Sequence, residues 1–158
     1  LRAAVYAPSA LNAQPWLFAV VQDTKILKRY SDRAKVLLLD RASADPKASR
    51  YVPLLRNEAF NIFYDAGTLI AIGVAEPGQY ADADCWLAPE ALMLAAVDAG
   101  LGTCPIGFAV PVLNTREVKR ELQFPEAGAV LAPIIVGYPT VTPPAVARAE
   151  PRIVSWAR

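Results

Sequence analysis

The sequence predicts a single α+β domain, and three observations predict it. The first is order: runs with strand character and runs with helical spacing follow one another as strand, helix, strand, long helix, helix, strand. The second is size, because 158 residues make one domain with a full core. The third is run length. The longest apolar runs, such as "TLIAIGVA" and "VLAPIIVG", are strand-length and stop well short of the roughly 18 residues of a membrane span.

Each element follows from local chemistry. Leu1 to Tyr6 reads as the end of a helix, because Pro8 forbids continuation and pushes Ala7 out of the helical region. Trp16 to Asp23, "WLFAVVQD", is apolar nearly throughout and reads as a strand buried on both faces. Lys25 to Leu39 sets Ile26, Leu27, Tyr30, Ala34, Leu37 and Leu38 at helical spacing against a charged face. Asp40 to Leu55 turns polar, holds Pro46 and Pro53, and reads as a loop. Thr68 to Ala75 is a second buried strand, followed by a turn region, "EPGQYADAD". Residues 84–101 form the most apolar helix, suited to a core or to a subunit interface. Pro89 is expected in its first turn or at a kink, and Gly100 and Gly102 at its end. Asn114, three before Glu117, is expected to open a short helix to Leu122. Ala129 to Pro139 is a third strand, in which Pro133 points to an edge or a bulge. From Thr140 the chain is Pro-rich and basic, yet Ile153, Val154 and Trp156 want a surface. Two readings meet that demand: an arm embracing a second subunit, or a tail packed on its own domain.

Composition excludes several functions. A net charge of +1 supplies no field for nucleic acid or a membrane. An apolar share of 54% is high for a soluble domain and fits a subunit that buries extra surface in a partner. Cys85 and Cys104 give no disulfide framework, which points to a reducing, cytoplasmic setting. The chain has no histidine, so it holds no Ser-His-Asp triad, no Cys-His pair and no His-based metal site. If it is an enzyme, a bound cofactor is expected to carry the chemistry, with no catalytic side chain and no metal.

Two stretches could meet such a cofactor. "APSALNAQPW", Ala7 to Trp16, is stiffened by two prolines and offers Ser9, Asn12 and Gln14. These side chains hydrogen-bond without charge, which suits recognition of a polar heterocycle and equally suits satisfying a turn. "DAGLGTCPIGFA", Asp98 to Ala109, ends a helix and leaves backbone N–H groups near Gly107 open to close approach; it reads as a donor turn or as a helix cap leading into a strand. It is neither a P-loop nor a dinucleotide fingerprint. Arg148 in the tail has the planar fork that binds phosphate, whereas Arg152 reads as a solvated charge. Cys104, beside Pro105, reads as a small buried core residue or as a reactive thiol, though nothing basic lies beside it in sequence.

Together these pieces resemble one family. "APSALNAQPWLF" is similar to the Pro-Ser-x-x-Asn-x-Gln-Pro-Trp motif of the FMN-dependent nitroreductase family. "IFYDAGTLIAIG" resembles its Tyr-x-Ala-Pro strand, with Gly67 where proline is common, and "ADCWLAPEALMLAAVDAGLGTCPIG" its central helix and the turn after it. "PIIVGYPTVTPP" and the pattern Arg148-x-x-Pro151-x-x-Val154-Ser155-Trp156 resemble its last strand and C-terminal arm. The five segments run in the family's order along nearly the whole chain.

The resemblance implies an α+β sandwich around a mixed, largely antiparallel sheet, as an intertwined homodimer. It implies one domain over residues 1–158 with an arm over 140–158. FMN would be the cofactor, with electrons passing from NAD(P)H to a small organic acceptor such as a nitroaromatic or quinone. The alternative is a non-catalytic dimeric relative, with or without flavin. By resemblance Pro8, Ser9 and Asn12 contact the cofactor while Gln14 and Trp16 fix the loop. Pro105, Ile106 and Gly107 lie along the ring and give it backbone N–H groups, at a place where no side chain fits Gly107. Arg148 reaches the phosphate, and Arg56 supplies positive charge near the ring. The family's Arg-x-Ser-x-Arg-like phosphate grip lies upstream of the helix that ends at "LRAAVYAPS", and Arg2 is in the wrong place to replace it, so half of the phosphate site is expected to be missing from these residues.

Overall fold

The computed structural model describes residues 1–42, 48–141 and 144–157. Four strands, β1 (Trp16–Val21), β2 (Thr68–Val74), β3 (Gly102–Pro105) and β4 (Ala129–Gly137), form one sheet in the order β1-β2-β4-β3, with every pairing antiparallel. Helices α1 (Thr24–Ala42), α2 (Val52–Arg56), α4 (Val110–Leu113) and α5 (Arg116–Glu121) gather on one side, and α3 (Gln79–Asp98) packs across the other. Strand alternation sorts the two cores. Leu69 and Ala71 of β2 meet Leu27, Tyr30 and Ala34 of α1. Ile70, Ile72 and Val74 meet Cys85, Ala88 and Leu92 of α3. Among the described residues no helix is long and apolar enough to cross a membrane.

A bulge sets the register of β4. Ile72 pairs with Ala132 but Gly73 pairs with Val130, so Leu131 is an extra residue. It inverts the alternation: Val130 and Ile135 face the α1 side, and Ala132 and Ile134 face α3. Backbones approach closely there, and a Cβ on Gly73 would lie 2.1 Å from the Ala129 carbonyl oxygen. Pro133 is not at an edge, since β4 lies between β2 and β3. The inner strand tolerates it because β3 ends opposite. The Ile106 N–H donates to the Pro133 carbonyl at 2.8 Å, and the Ile106 carbonyl, which would face the missing Pro133 donor, accepts from Ala109 N–H at 3.0 Å.

Other boundaries differ from expectation for definite reasons. β1 is a sheet edge, so Val20 is exposed and only Trp16 and Val21 are buried. Asp23 leaves the strand to cap α1, its Oδ1 accepting from Lys25 and Ile26 N–H at 2.8 and 3.2 Å. Leu1–Tyr6 gives a 3₁₀ turn, Ala4–Tyr6, ended by extended backbone at Ala7 before Pro8. The expected loop from Asp40 to Leu55 is partly helical: α1 runs to Ala42, Ser49–Tyr51 is a 3₁₀ turn, and Pro53 starts α2, where no N–H is needed. Pro46 lies outside the described residues. The turn region is also partly helical, because α3 starts at Gln79 and holds Pro89 buried in its interior. Gly100 (φ +71°) is the left-handed cap: its N–H reaches the Val97 carbonyl and Leu101 N–H the Ala96 carbonyl, at 3.0 and 2.8 Å. Gly102 belongs to β3 instead. Thr115, not Asn114, caps α5, accepting from Val118 N–H. Asn114 bridges elements: Nδ2 donates to the Val110 and Val130 carbonyls and Oδ1 accepts from Val130 N–H. The tail does not pack on its own domain, since residues 144–157 are exposed throughout.

Side chains tie α1 to α5. Tyr30 donates its hydroxyl to Glu121 Oε2 at 2.7 Å, beside Arg29, and Arg33 grips Glu117 through both nitrogens. Burial, then the Glu121 carboxylate, pushes the Tyr30 pKa from 10.0 up to about 12. The folded state therefore holds this proton more tightly than the unfolded chain. The stability it lends is complete below pH 10.0 and lost as pH rises to about 12. Urea titrations across this window should show a steeper alkaline loss in wild type than in Tyr30→Phe; parallel curves would refute the linkage. Gly73→Ala should cost about 3 kcal/mol in the same assay at neutral pH, because the Cβ meets backbone at the bulge; a wild-type midpoint would refute that packing.

Candidate functional site

The Pro8–Trp16 loop is built on strained backbone. Leu11, Asn12 and Gln14 have φ of 53°, 56° and 49°, a region that costs an L-residue roughly 1–2 kcal/mol. Four contacts hold it. Ser9 Oγ accepts from Gln14 N–H at 2.9 Å, and Gln14 Nε2 donates to Asn12 Oδ1 at 3.1 Å. Ala10 N–H donates to Asp84 Oδ2 of α3 at 3.0 Å. Trp16 is buried in the α3-side core. Ser9 and Asn12 thus do turn work, and Gln14 and Trp16 fix the loop. Pro8 is exposed at its start.

The second stretch is a sheet edge and a turn. Thr103 to Pro105 belong to β3, so the alternative of a cap leading into a strand describes this half of the segment. At Ile106 the chain leaves the sheet, and Gly107–Ala109 form a 3₁₀ turn. An open groove of about 390 Å³ lies here, lined by Ile62, Tyr64, Cys104, Pro105, Ile106, Gly107 and Phe108. A neighbouring groove of about 420 Å³ shares Tyr64 and Cys104. Tyr64 and Asp65 are both left-handed, at φ 52° and 55°.

Three expectations change here. Ile106 is buried and its N–H is taken by Pro133, so it has no backbone donor to offer. Gly107 is not required by this chain's own packing: its φ is not left-handed, and a Cβ would meet nothing within 4 Å. Its N–H finds no backbone acceptor among the described residues. Cys104 is exposed rather than buried, because it lies on the edge strand facing the grooves. Cys85 is the buried thiol, and desolvation, then the Asp82 charge, pushes its pKa up to about 12.

The two stretches are not brought together within one protomer. Trp16 and the loop pack with α3, whereas Ile106 and Phe108 belong to the core on the α1 side of the sheet. Arg56, in the last turn of α2, and Arg148, in the tail, are exposed and form no ion pair among the described residues. Sequence reasoning missed Asp84, Tyr64 and Phe108. Asp84 had a signal: an acid beside the most apolar helix, hidden by reading "ADAD" as a turn.

The fold defines an α+β sandwich with its open groove at the exit of an edge strand. The sequence profile of the nitroreductase family matches residues 1–138, and the chain belongs to that family. It is 32% identical over 146 residues to an Archaeoglobus fulgidus protein provisionally named NADH dehydrogenase/NAD(P)H nitroreductase, covering 88% of this chain and 70% of that protein. It is 28% identical over 157 residues to the iodotyrosine deiodinase of Thermotoga neapolitana, covering 95% and 80%. A Bacteroides fragilis nitroreductase with bound FMN superposes with a TM-score of 0.78 at 29% identity, covering 98% of this chain and 84% of that one.

Proposed function

We propose that this protein is an FMN-dependent oxidoreductase, working as a homodimer, that takes electrons from NAD(P)H and passes them to a small organic acceptor such as a nitroaromatic or quinone. The observation that carries the reading is the family match over residues 1–138 joined to the likeness to an FMN-bound nitroreductase. When bound, FMN supplies the two-electron chemistry that side chains lack. The residues suit it as two half-sites. Gly107 offers an unengaged N–H and an empty Cβ direction beside an apolar groove, which fits the edge of a flat heterocycle. Ser9 and Asn12 offer uncharged polar groups on a stiff loop, and Arg148 a cation for phosphate. The half-sites lie on opposite sides of one sheet, so a second copy is the economical way to join them. The arm supports that, because its apolar residues find no cover on their own domain.

Purified protein should show oxidised-flavin absorbance that NADH or NADPH bleaches; a colourless protein that takes up no FMN would refute the proposal. Arg148→Ala should weaken FMN about ten- to a hundredfold while sparing riboflavin, which lacks the phosphate. Equal losses would mean that the arm acts by packing. Gly107→Ala should leave the thermal stability of the flavin-free protein at the wild-type value, because a Cβ there meets nothing within 4 Å, whereas Gly107→Val should abolish flavin uptake. Cys104→Ala should keep both turnover and flavin; loss of turnover with flavin retained would move the chemistry to the thiol.

A further inference from the structure

We propose that Asp84 is a positioning residue: its carboxylate latches the Pro8–Gln14 loop in the one conformation that presents Ser9 and Asn12 outward. This rests on the flavin reading for what the loop meets, but the latch is carried by its own geometry. Asp84 is only 7% exposed and lies on α3 beside Cys85 and Ala88, both fully buried. A carboxylate in such a seam is retained only where it finds donors. The donor here is Ala10 N–H, on a segment 74 residues away in sequence.

The identity of that donor matters. Ala10 opens the 3₁₀ turn Ala10–Asn12, and Ser9 stands in its cap position with extended backbone. As the cap residue Ser9 would accept from the N–H of Leu11 or Asn12, not from Ala10, and the Asn12 N–H already bonds the Ser9 carbonyl at 3.0 Å. The Ser9 side chain makes no cap bond and gives its Oγ to Gln14 N–H instead. Asp84 takes the Ala10 N–H, which Ser9 does not reach as a cap, so two acceptors pin the loop at two points: Asp84 at Ala10 and Ser9 at Gln14. Gln14 in turn holds Asn12 through Nε2. Three left-handed side-chain-bearing residues persist in one loop only when their surroundings over-determine them. Removing the carboxylate frees the Ala10 end of the loop from α3, and with it the bonds that run from Ser9 through Gln14 to Asn12.

Asp84→Ala removes the acceptor, and Asp84→Asn keeps a carbonyl oxygen in its place. Hydrogen exchange of the full chain, without flavin, should show Ala10 and Gln14 amide protection falling at least about tenfold in Asp84→Ala while amides of β2 and β4 hold. FMN titration should show a loss of about tenfold, and Asp84→Asn should restore both readouts to within about threefold of wild type. Wild-type loop protection in Asp84→Ala, uniform loosening of loop and sheet, or an Asp84→Asn variant as impaired as Asp84→Ala would each overturn the latch. Should Asp84→Ala not fold, the wild-type Ala10 amide decides: exchange at the free-peptide rate overturns the latch, and strong protection that Asp84→Asn keeps supports it. Because exchange needs no flavin, failure of wild type to take up FMN would sink the flavin reading alone.

Discussion

The hydrogen bond from Ile106 N–H to the Pro133 carbonyl is the point at which the sheet stops and the groove begins. Pro133 can accept there but cannot donate, so β3 gains nothing by pairing further. The Ile106 carbonyl accepts from Ala109 N–H instead, which closes a tight turn. That turn leaves the Gly107 N–H without a backbone acceptor among the described residues and sends Phe108 against Tyr51, ring to ring edge-on at 5.2 Å. One missing donor in an inner strand thus sets the end of an edge strand, the start of a 3₁₀ turn and the mouth of the groove.

The other face of the sheet poses a different problem. α3 buries Ala88, Leu92 and Ala96 but leaves Trp86, Leu87, Leu94 and Val97 in solvent. The arm exposes Ile153, Val154 and Trp156. These are apolar side chains that the described chain does not cover itself. Under the dimer reading they share a cause with the divided site. The sheet holds loop and groove apart, so any partner that completes a ligand pocket must come from outside the protomer, and α3 and the arm are the surfaces with reason to receive it.

Much of the architecture was legible because burial writes itself into period. β2 reads as a buried strand because Leu69 to Val74 face packed cores on both sides. α1 carried its spacing in plain view, and α3 showed as an apolar run whose first turn, from Gln79, was hidden in the turn region. The misreadings fall where polar groups make non-local bonds. Asn114 has the look of a cap but spends its amide on Val130 of β4. Pro133 points to an edge or a bulge; β4 is an inner strand, but it does carry a bulge, at Leu131 two residues before. β1 has a core strand's composition at a sheet edge. At the site, the loop and the Gly107 turn were legible as stiff, donor-bearing segments. Ile106 was misassigned because its N–H partner lies in a strand far along the chain, and Asp84 was missed because its partner is a backbone N–H in a distant segment.

Backbone strain says where the fold has been bent to a purpose. Among the described residues, six non-glycine positions have left-handed φ: Leu11, Asn12, Gln14, Tyr64, Asp65 and Gln123. Five of these lie in the Pro8–Trp16 loop or line the two grooves. Strain of this sort persists only where contacts over-determine it, and it concentrates at sites that must present groups in a fixed geometry. The two groups whose pKa burial raises, Tyr30 and Cys85, line neither groove. The backbone distortion is therefore concentrated on the loop and the groove walls, where Asn12, Gln14, Tyr64 and Asp65 carry polar groups. Under the flavin reading, polar groups held fixed in this way suit a protein whose bound cofactor carries the chemistry.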